Sequence, residues 1–171
     1  MVIRDAYPAE LEEIGELRLT AYRADGFLAP HSGYAPRLKE LGADGLGIVL
    51  VAVEEGGGQP VGTVMLQSWP DAGHVVRGAG EGEIRALAVR PEAQGAGVGR
   101  ALLTAVIDRA SREGIRRLLL STQVDMKAAH HLYEEAGFSR LPERDWSPEP
   151  DEPLLAYGLL LGAGEAGEAA V

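Results

Sequence analysis

The spacing of apolar positions changes period several times along the chain, and each change predicts an element. A short strand opens at residues 2–5. Leu11, Ile14, Leu17 and Ala21 then recur at helical spacing behind Pro8, with Glu10, Glu12 and Glu13 in the first turn, where a helix dipole favours acids. An amphipathic helix is expected to run to about Arg23 and to stop at Asp25-Gly26. Residues 27–36 read as a loop carrying Phe27, His31 and Tyr34, and 37–41 as a short second helix closed by Gly42. Two apolar runs, 47–53 (GIVLVAV) and 61–69 (VGTVMLQSW), flank the glycine-rich EEGGGQP and predict a hairpin. After an irregular stretch at 70–82, residues 83–89 form a third long strand.

The second half continues with a helix over 98–113, marked by Leu102, Ala105, Val106 and Arg109 and ended by Gly114. A strand at 116–121 follows. Asp125 is placed to cap a helix that reaches Ala136, with Gly137 as its stop, and strands at 138–141 and 154–161 complete the set. The order β-α-α-β-β-β-α-β-α-β-β combines hairpins with one strand–helix–strand crossover. An α/β chain with a mixed sheet is expected, antiparallel early and locally parallel around the crossover. There is no internal repeat and no linker, and 171 residues fit one domain. Residues 162–171 (GAGEAGEAAV) have no apolar face and are expected to be a disordered tail.

Composition narrows the function classes. Hydrophobic residues at 46% and charged residues at 25% are ordinary for a soluble globular chain. No apolar run approaches the roughly 20 residues that cross a bilayer. The start, MVIRDAYPAE, has no apolar stretch behind a basic one, so no signal peptide is expected. The absence of cysteine excludes disulfides, thiolate metal sites and a cysteine nucleophile, and a cytoplasmic location is expected. A net charge of −10 argues against nucleic acid or an acidic membrane as partner, since binding phosphates takes a basic face. His130 and His131 are adjacent on a helix and cannot share one face, so no metal is expected. The apolar last strand, LLAYGLLL, is suited to the edge of a homodimer.

The candidate chemistry begins between the third strand and the following helix. Gln94-Gly95-Ala96-Gly97-Val98-Gly99-Arg100 carries three glycines at alternate positions, which let the backbone curl tightly and approach a ligand. The first amides of the helix point into that curl, and a helix N-terminus attracts an anion such as a pyrophosphate. A P-loop would need Lys and then Ser or Thr after the last glycine, where Arg100-Ala101 stands. A dinucleotide fingerprint would need GxGxxG directly after the strand and an acid about 20 residues on; the spacing here is GxGxG, and the next strand ends in Ser121-Thr122. By itself the segment fits a glycine turn that binds nothing as well as it fits a phosphate cradle.

Two motifs read together resemble a known family. Gln94 to Ala101 resembles the Q/R-x-x-G-x-G/A signature of the GNAT superfamily of N-acetyltransferases, and Glu83-Ile84-Arg85-Ala86-Leu87-Ala88-Val89-Arg90-Pro91 looks like the strand that precedes it there. MKAAHHLYEEAGF at 126–138 resembles the second motif, NxxAxxLYxxxGF, with Met126 where Asn is usual. The resemblance covers residues 1–161. It implies the GNAT fold, a single mixed sheet of about seven strands with about four helices and a V-shaped splay at the acetyl-CoA site. It implies acetyl-CoA as acetyl donor, with the backbone of Leu87, Ala88 and Val89 along the pantetheine arm. The pyrophosphate would lie against Gln94, Gly95, Ala96, Gly97, Val98, Gly99 and Arg100. An amine of a small molecule or peptide would be the acceptor. Transfer of another acyl group, or a non-catalytic acetyl-CoA-binding module, are the alternatives.

Amine acetylation needs a base for the attacking amine and an acid for the departing thiolate. Tyr133 aligns with the family's Tyr in LYxxxGF, whose hydroxyl approaches the CoA sulfur, and a phenol of pKa about 10 is protonated at neutral pH; its other reading is an aromatic packed on the sheet. Glu83 occupies the strand position where histone-type members carry a glutamate base, or else it pairs with Arg85 or another arginine. Strand alternation puts Glu83, Arg85, Leu87 and Val89 on one face. Arg85 would welcome an acceptor that carries a carboxylate as well as an amine. Phe27, His31, Tyr34 and Trp69 either line the acceptor pocket or pack their own loops.

Overall fold

The computed structural model describes residues 1–29 and 32–162, and these form seven strands and four α-helices in the order that the apolar pattern predicts. They are β1 (Val2–Asp5), α1 (Leu11–Ala24), α2 (Ala35–Glu40), β2 (Ile48–Val53), β3 (Gly62–Ser68), β4 (Glu81–Val89), α3 (Val98–Arg112), β5 (Arg117–Gln123), α4 (Lys127–Glu135), β6 (Ser139–Arg140) and β7 (Leu154–Leu160). The strands form one mixed sheet in the order β1-β2-β3-β4-β5-β7-β6. The ladders are antiparallel at β1/β2, β2/β3, β5/β7 and β6/β7, and parallel at β4/β5 across the α3 crossover. His31 and residues 163–171, the expected tail, lie outside the described residues. No helix among those described is long and apolar enough to cross a membrane.

The chain divides into two compact units, Met1–Leu66 with Arg85–Val106, and Gln67–Ile84 with the chain from Ile107 onward. In the first unit the apolar stripe of α1 packs on the sheet: Ile14 against Val51 and Val53, and Leu17 and Ala21 against Ala88 of β4. Leu19, Leu28 and Leu38 close a second cluster that includes Ala86. The helix starts where Glu10 folds back, accepting the Tyr7 N–H at 2.7 Å and holding Arg4 with both oxygens at 2.9 Å. The Arg4 guanidinium keeps the Glu10 carboxyl below the usual range. Gly62 of β3 fixes where α3 begins. A Cβ there would lie 2.8 Å from Leu102 and 2.9 Å from Val98, so the bare backbone lets the first turns of α3 rest directly on the strand.

The second unit is built on Leu118, Leu119 and Leu120 of β5, all buried. The irregular stretch before β4 sends Val75 and Val76 into that core against Leu119 and Ala156. It is anchored by Glu81, whose two oxygens accept both Arg144 amino groups at 3.0 and 2.9 Å and also the Arg77 N–H at 2.9 Å. The Arg144 guanidinium holds the Glu81 carboxyl below its ordinary range.

Three expectations are corrected. β7 is no edge: β5 pairs with it from Leu154 to Leu160, and the other side is covered by β6 at Tyr157 and Gly158, by Leu141 N–H on the Ala156 carbonyl and by a bridge to Trp146. Within its apolar run Ala156 and Tyr157 are buried, while Leu160 at the end of the strand is exposed. Asp125 does not cap α4; Met126 takes the cap position without a side-chain bond. Finally, one face does not run from Glu83 through Val89, because Ala86 has φ +53° and breaks the alternation in mid-strand.

Candidate active site

The first unit contains the turn from β4 into α3. Arg90 pins the end of β4: its N–H donates to the Val61 carbonyl at 2.8 Å and its Nε to the Pro60 carbonyl at 2.6 Å. A short 3-10 turn, Pro91–Ala93, follows. The Gln94 side-chain amide donates back to the Val89 carbonyl at 3.3 Å and its backbone N–H to the Pro91 carbonyl at 3.3 Å, so this residue braces the turn. Gly95 and Gly97 stand at φ +82° and +84°, in the left-handed region, and a Cβ on either would meet no protein atom within 4 Å. The first bond that closes α3 runs from Ala101 N–H to the Gly97 carbonyl at 3.0 Å. The amides of Val98 and Gly99 precede it and have no intrahelical acceptor. Val98 is buried as the anchor of this turn, while Gly95, Ala96 and Gly97 are exposed. The result is a run of backbone donors at the positive end of a helix dipole, with open space where side chains would otherwise stand. That is the donor set an exposed pyrophosphate takes.

β4 leads into this turn. Ala88 is buried under α1, and Leu87 and Val89 are half-buried. The ladder between β4 and β5 covers Glu81 to Glu83 and ends at Glu83↔Leu119, so the backbone at 87–89 has no β5 partner. Arg85 is half-buried, and its guanidinium acts electrostatically on Arg18 of α1. Phe27 is half-buried and donates its N–H to the Tyr22 carbonyl at 2.9 Å; Tyr34 is more than a third exposed at the start of α2.

The second unit contains Glu83, Tyr133 and Trp69. Glu83 is 6% exposed and its Oε1 accepts the Gly73 N–H at 3.1 Å. Tyr133 lies on the inner side of α4, with its ring 6.0 Å from Phe138 and 6.3 Å from Tyr157. Burial pushes its phenol up to about 12, and no hydrogen bond contributes to that shift. Trp69 is exposed and reaches β4 through its backbone N–H on the Glu81 carbonyl at 3.0 Å. Where the second motif usually carries Asn, the Met126 sulfur accepts the Thr122 hydroxyl at 3.5 Å. His130 is buried, with Nε2 at 2.8 Å from the Gln123 carbonyl, and ties α4 to the end of β5. His131 faces Glu135 at 3.0 Å. Among the described residues there is no group of three or more side chains that would hold a metal ion.

Two residues of this region escape a reading of the sequence. Ala86 gives no local sign of its left-handed backbone, since alanine is not a residue that favours it. Arg18 does leave a trace: it stands at i+4 from Ile14 and three before Ala21, a charged residue on the apolar stripe of α1, and it is fully buried.

The family profile described as "Acetyltransferase (GNAT) family" matches residues 11–138. No curated protein matches the chain. Among solved structures, the chain is similar to an acetyltransferase of the GNAT family from Staphylococcus aureus Mu50, at 19% identity and TM-score 0.73, over 94% of this chain and 98% of that one. It is similar to a ribosomal-protein-alanine N-acetyltransferase from Brucella melitensis at 23% identity and TM-score 0.66, over 94% and 100%. It is also similar to an acetyltransferase from Salmonella typhimurium solved with its cofactor acetyl-CoA, at 23% identity and TM-score 0.66, over 94% of both chains.

Proposed function

Because the chain belongs to the Acetyltransferase (GNAT) family, we propose that it moves an acetyl group from acetyl-CoA to a primary amine of a small molecule or peptide, directly, with both substrates bound. The observation that carries this reading is the turn at 94–100: two left-handed glycines with open space over them, followed by the helix amides of Val98 and Gly99, which have no intrahelical acceptor. Those amides hold the pyrophosphate, and the backbone of Leu87, Ala88 and Val89, unpaired with β5, serves the pantetheine arm. Phe27 and Tyr34, in the first unit, are proposed to meet the acceptor.

Acetyl-CoA supplies an activated acyl thioester; the protein supplies proton transfers and alignment. Glu83 takes a proton from the acceptor ammonium, leaving a lone pair on nitrogen. As the new C–N bond forms and the C–S bond breaks, Tyr133 donates its proton to the departing sulfur; the second proton lost from nitrogen returns through solvent to the phenolate, and the proton on Glu83 is released to solvent. No cysteine is present to carry an acetyl-enzyme, which supports direct attack. Exchange of Glu83 for Gln removes the base without changing the shape of the side chain. Its pH–rate profile is expected to lose the acidic limb of the wild type, and a retained limb would take Glu83 out of the mechanism.

The reading is tested by thiol release from acetyl-CoA in the presence of a broad amine panel. The panel includes peptides with a free N-terminal alanine, because one similar structure is a ribosomal-protein-alanine N-acetyltransferase. Amine-dependent release with formation of the N-acetyl product is the expected result. Binding of acetyl-CoA with no release for any amine would instead describe an acetyl-CoA-binding module, and release only from other acyl-CoAs would describe a different acyltransferase.

A further inference from the structure

Arg18 is the one charged side chain among the largest fully buried residues described, at 0% exposure. Its Nη1 donates to the carbonyls of Leu38 at 3.2 Å and Leu41 at 2.8 Å, which ties α1 to the end of α2. Its Nε and Nη2 are buried and make no hydrogen bond among the described residues. These two atoms lie on the same side of the guanidinium and offer parallel N–H donors, the fork that matches the two oxygens of a carboxylate. Burial lowers the Arg18 pKa to about 10, so the group is still charged at neutral pH. The neighbours that act on it are the phenols of Tyr22 and Tyr34 and a second cation, Arg85. In a chain with 26 acidic residues, no carboxylate pairs with this cation among the described residues. A buried charge is normally paired, and a structural pin for two carbonyls would need only Nη1.

We propose that the unused fork of Arg18, with Arg85 of β4 beside it, is an anion subsite, and that the acceptor amine carries a carboxylate which docks there. Arg85 precedes the 87–89 stretch of the same strand by two residues, so a ligand held by these two cations lies next to the proposed cofactor arm within the first unit. The identity of the ligand as the acceptor rests on the acetyltransferase reading; the subsite stands on the geometry of Arg18.

The test uses full-length protein and two readouts. The first is kcat and KM for thiol release with the free amino acids, their carboxamides and O-phosphoethanolamine. The second is calorimetric binding of N-acetyl amino acids and N-acetyl amino acid amides in the presence of CoA, which needs no turnover. For the preferred side chain, the acid is expected to show KM and Kd at least about tenfold below the amide. That ratio should fall towards one in Arg18→Gln and Arg85→Ala. Arg18→Lys, which keeps the charge and loses the fork, should recover only part of it. If Arg18→Gln is unfolded by circular dichroism, the other two variants decide. Equal Kd for acid and amide in the wild type, or binding of neither, overturns the subsite even if amines are acetylated. A preference for the phosphate compound overturns the carboxylate assignment. An Arg85-dependent preference for acids without any thiol release keeps the subsite and removes the acetyltransfer reading.

Discussion

Replacing Tyr133 with Phe is expected to lower kcat by about a hundredfold while the Kd for acetyl-CoA stays within about twofold of the wild type. The substitution removes one oxygen and leaves the ring. The contacts to Phe138 and Tyr157 persist, and the hydroxyl has no hydrogen-bond partner among the described residues, so little stability is lost. The size of the effect follows from the phenol's acidity. At a pKa of about 12 it is fully protonated at neutral pH. An ordinary thiol has a pKa near 8.5, so complete transfer from this weaker acid to a free thiolate would be uphill. In the proposed mechanism Tyr133 would act first as a hydrogen-bond donor to the charge that grows on sulfur, and finish the transfer late. This puts its contribution at the lower end of the usual range of about 10²–10⁴ for acid catalysis. An unchanged kcat would remove Tyr133 from the reaction and leave it as a packed aromatic.

The second large effect is expected at Gly97→Val. The native φ of +84° lies where a β-branched residue is strained. The cost of about 1–2 kcal/mol corresponds to roughly tenfold in binding if the turn must be restored around the ligand. The added side chain also fills space that holds no protein atom within 4 Å, which is the space a bound pyrophosphate would use. Together the two terms predict that Kd for acetyl-CoA rises by about a hundredfold in calorimetry. The melting temperature should fall by no more than a few degrees, because the new side chain meets nothing in the fold and the backbone strain is the only cost. Gly97→Ala should fall between the two. Unaltered acetyl-CoA binding by the valine variant would mean that the turn is structural only.

Most elements were legible in the sequence because the period of the apolar positions switches cleanly between 3.6 and 2, and because Gly26, Gly42, Gly114 and Gly137, all with positive φ, mark where helices and turns end. What was not legible depends on residues far apart in the chain. The run LLAYGLLL suggested an exposed edge; only the strand order shows that β7 lies between β5 and β6. Gly62 reads as an ordinary hairpin glycine until Val98 and Leu102 are seen occupying its missing side chain. The glycine spacing at 95–99 identified the turn correctly as tight and open, since backbone conformation is local. The environment of Glu83 was not readable, because its partner is the amide of Gly73, in a stretch with no period at all. Arg18 shows both sides: its position on the stripe was visible, but the lack of a counter-charge is a property of the folded first unit.

The central claim, that the β4-to-α3 turn is built to hold acetyl-CoA, is tested most directly by a crystal structure of the protein with acetyl-CoA bound. The account predicts pyrophosphate oxygens at about 3 Å from backbone amides between Gly95 and Arg100, and the pantetheine arm along Leu87, Ala88 and Val89. Acetyl-CoA density at another site, with those amides facing solvent, would contradict it.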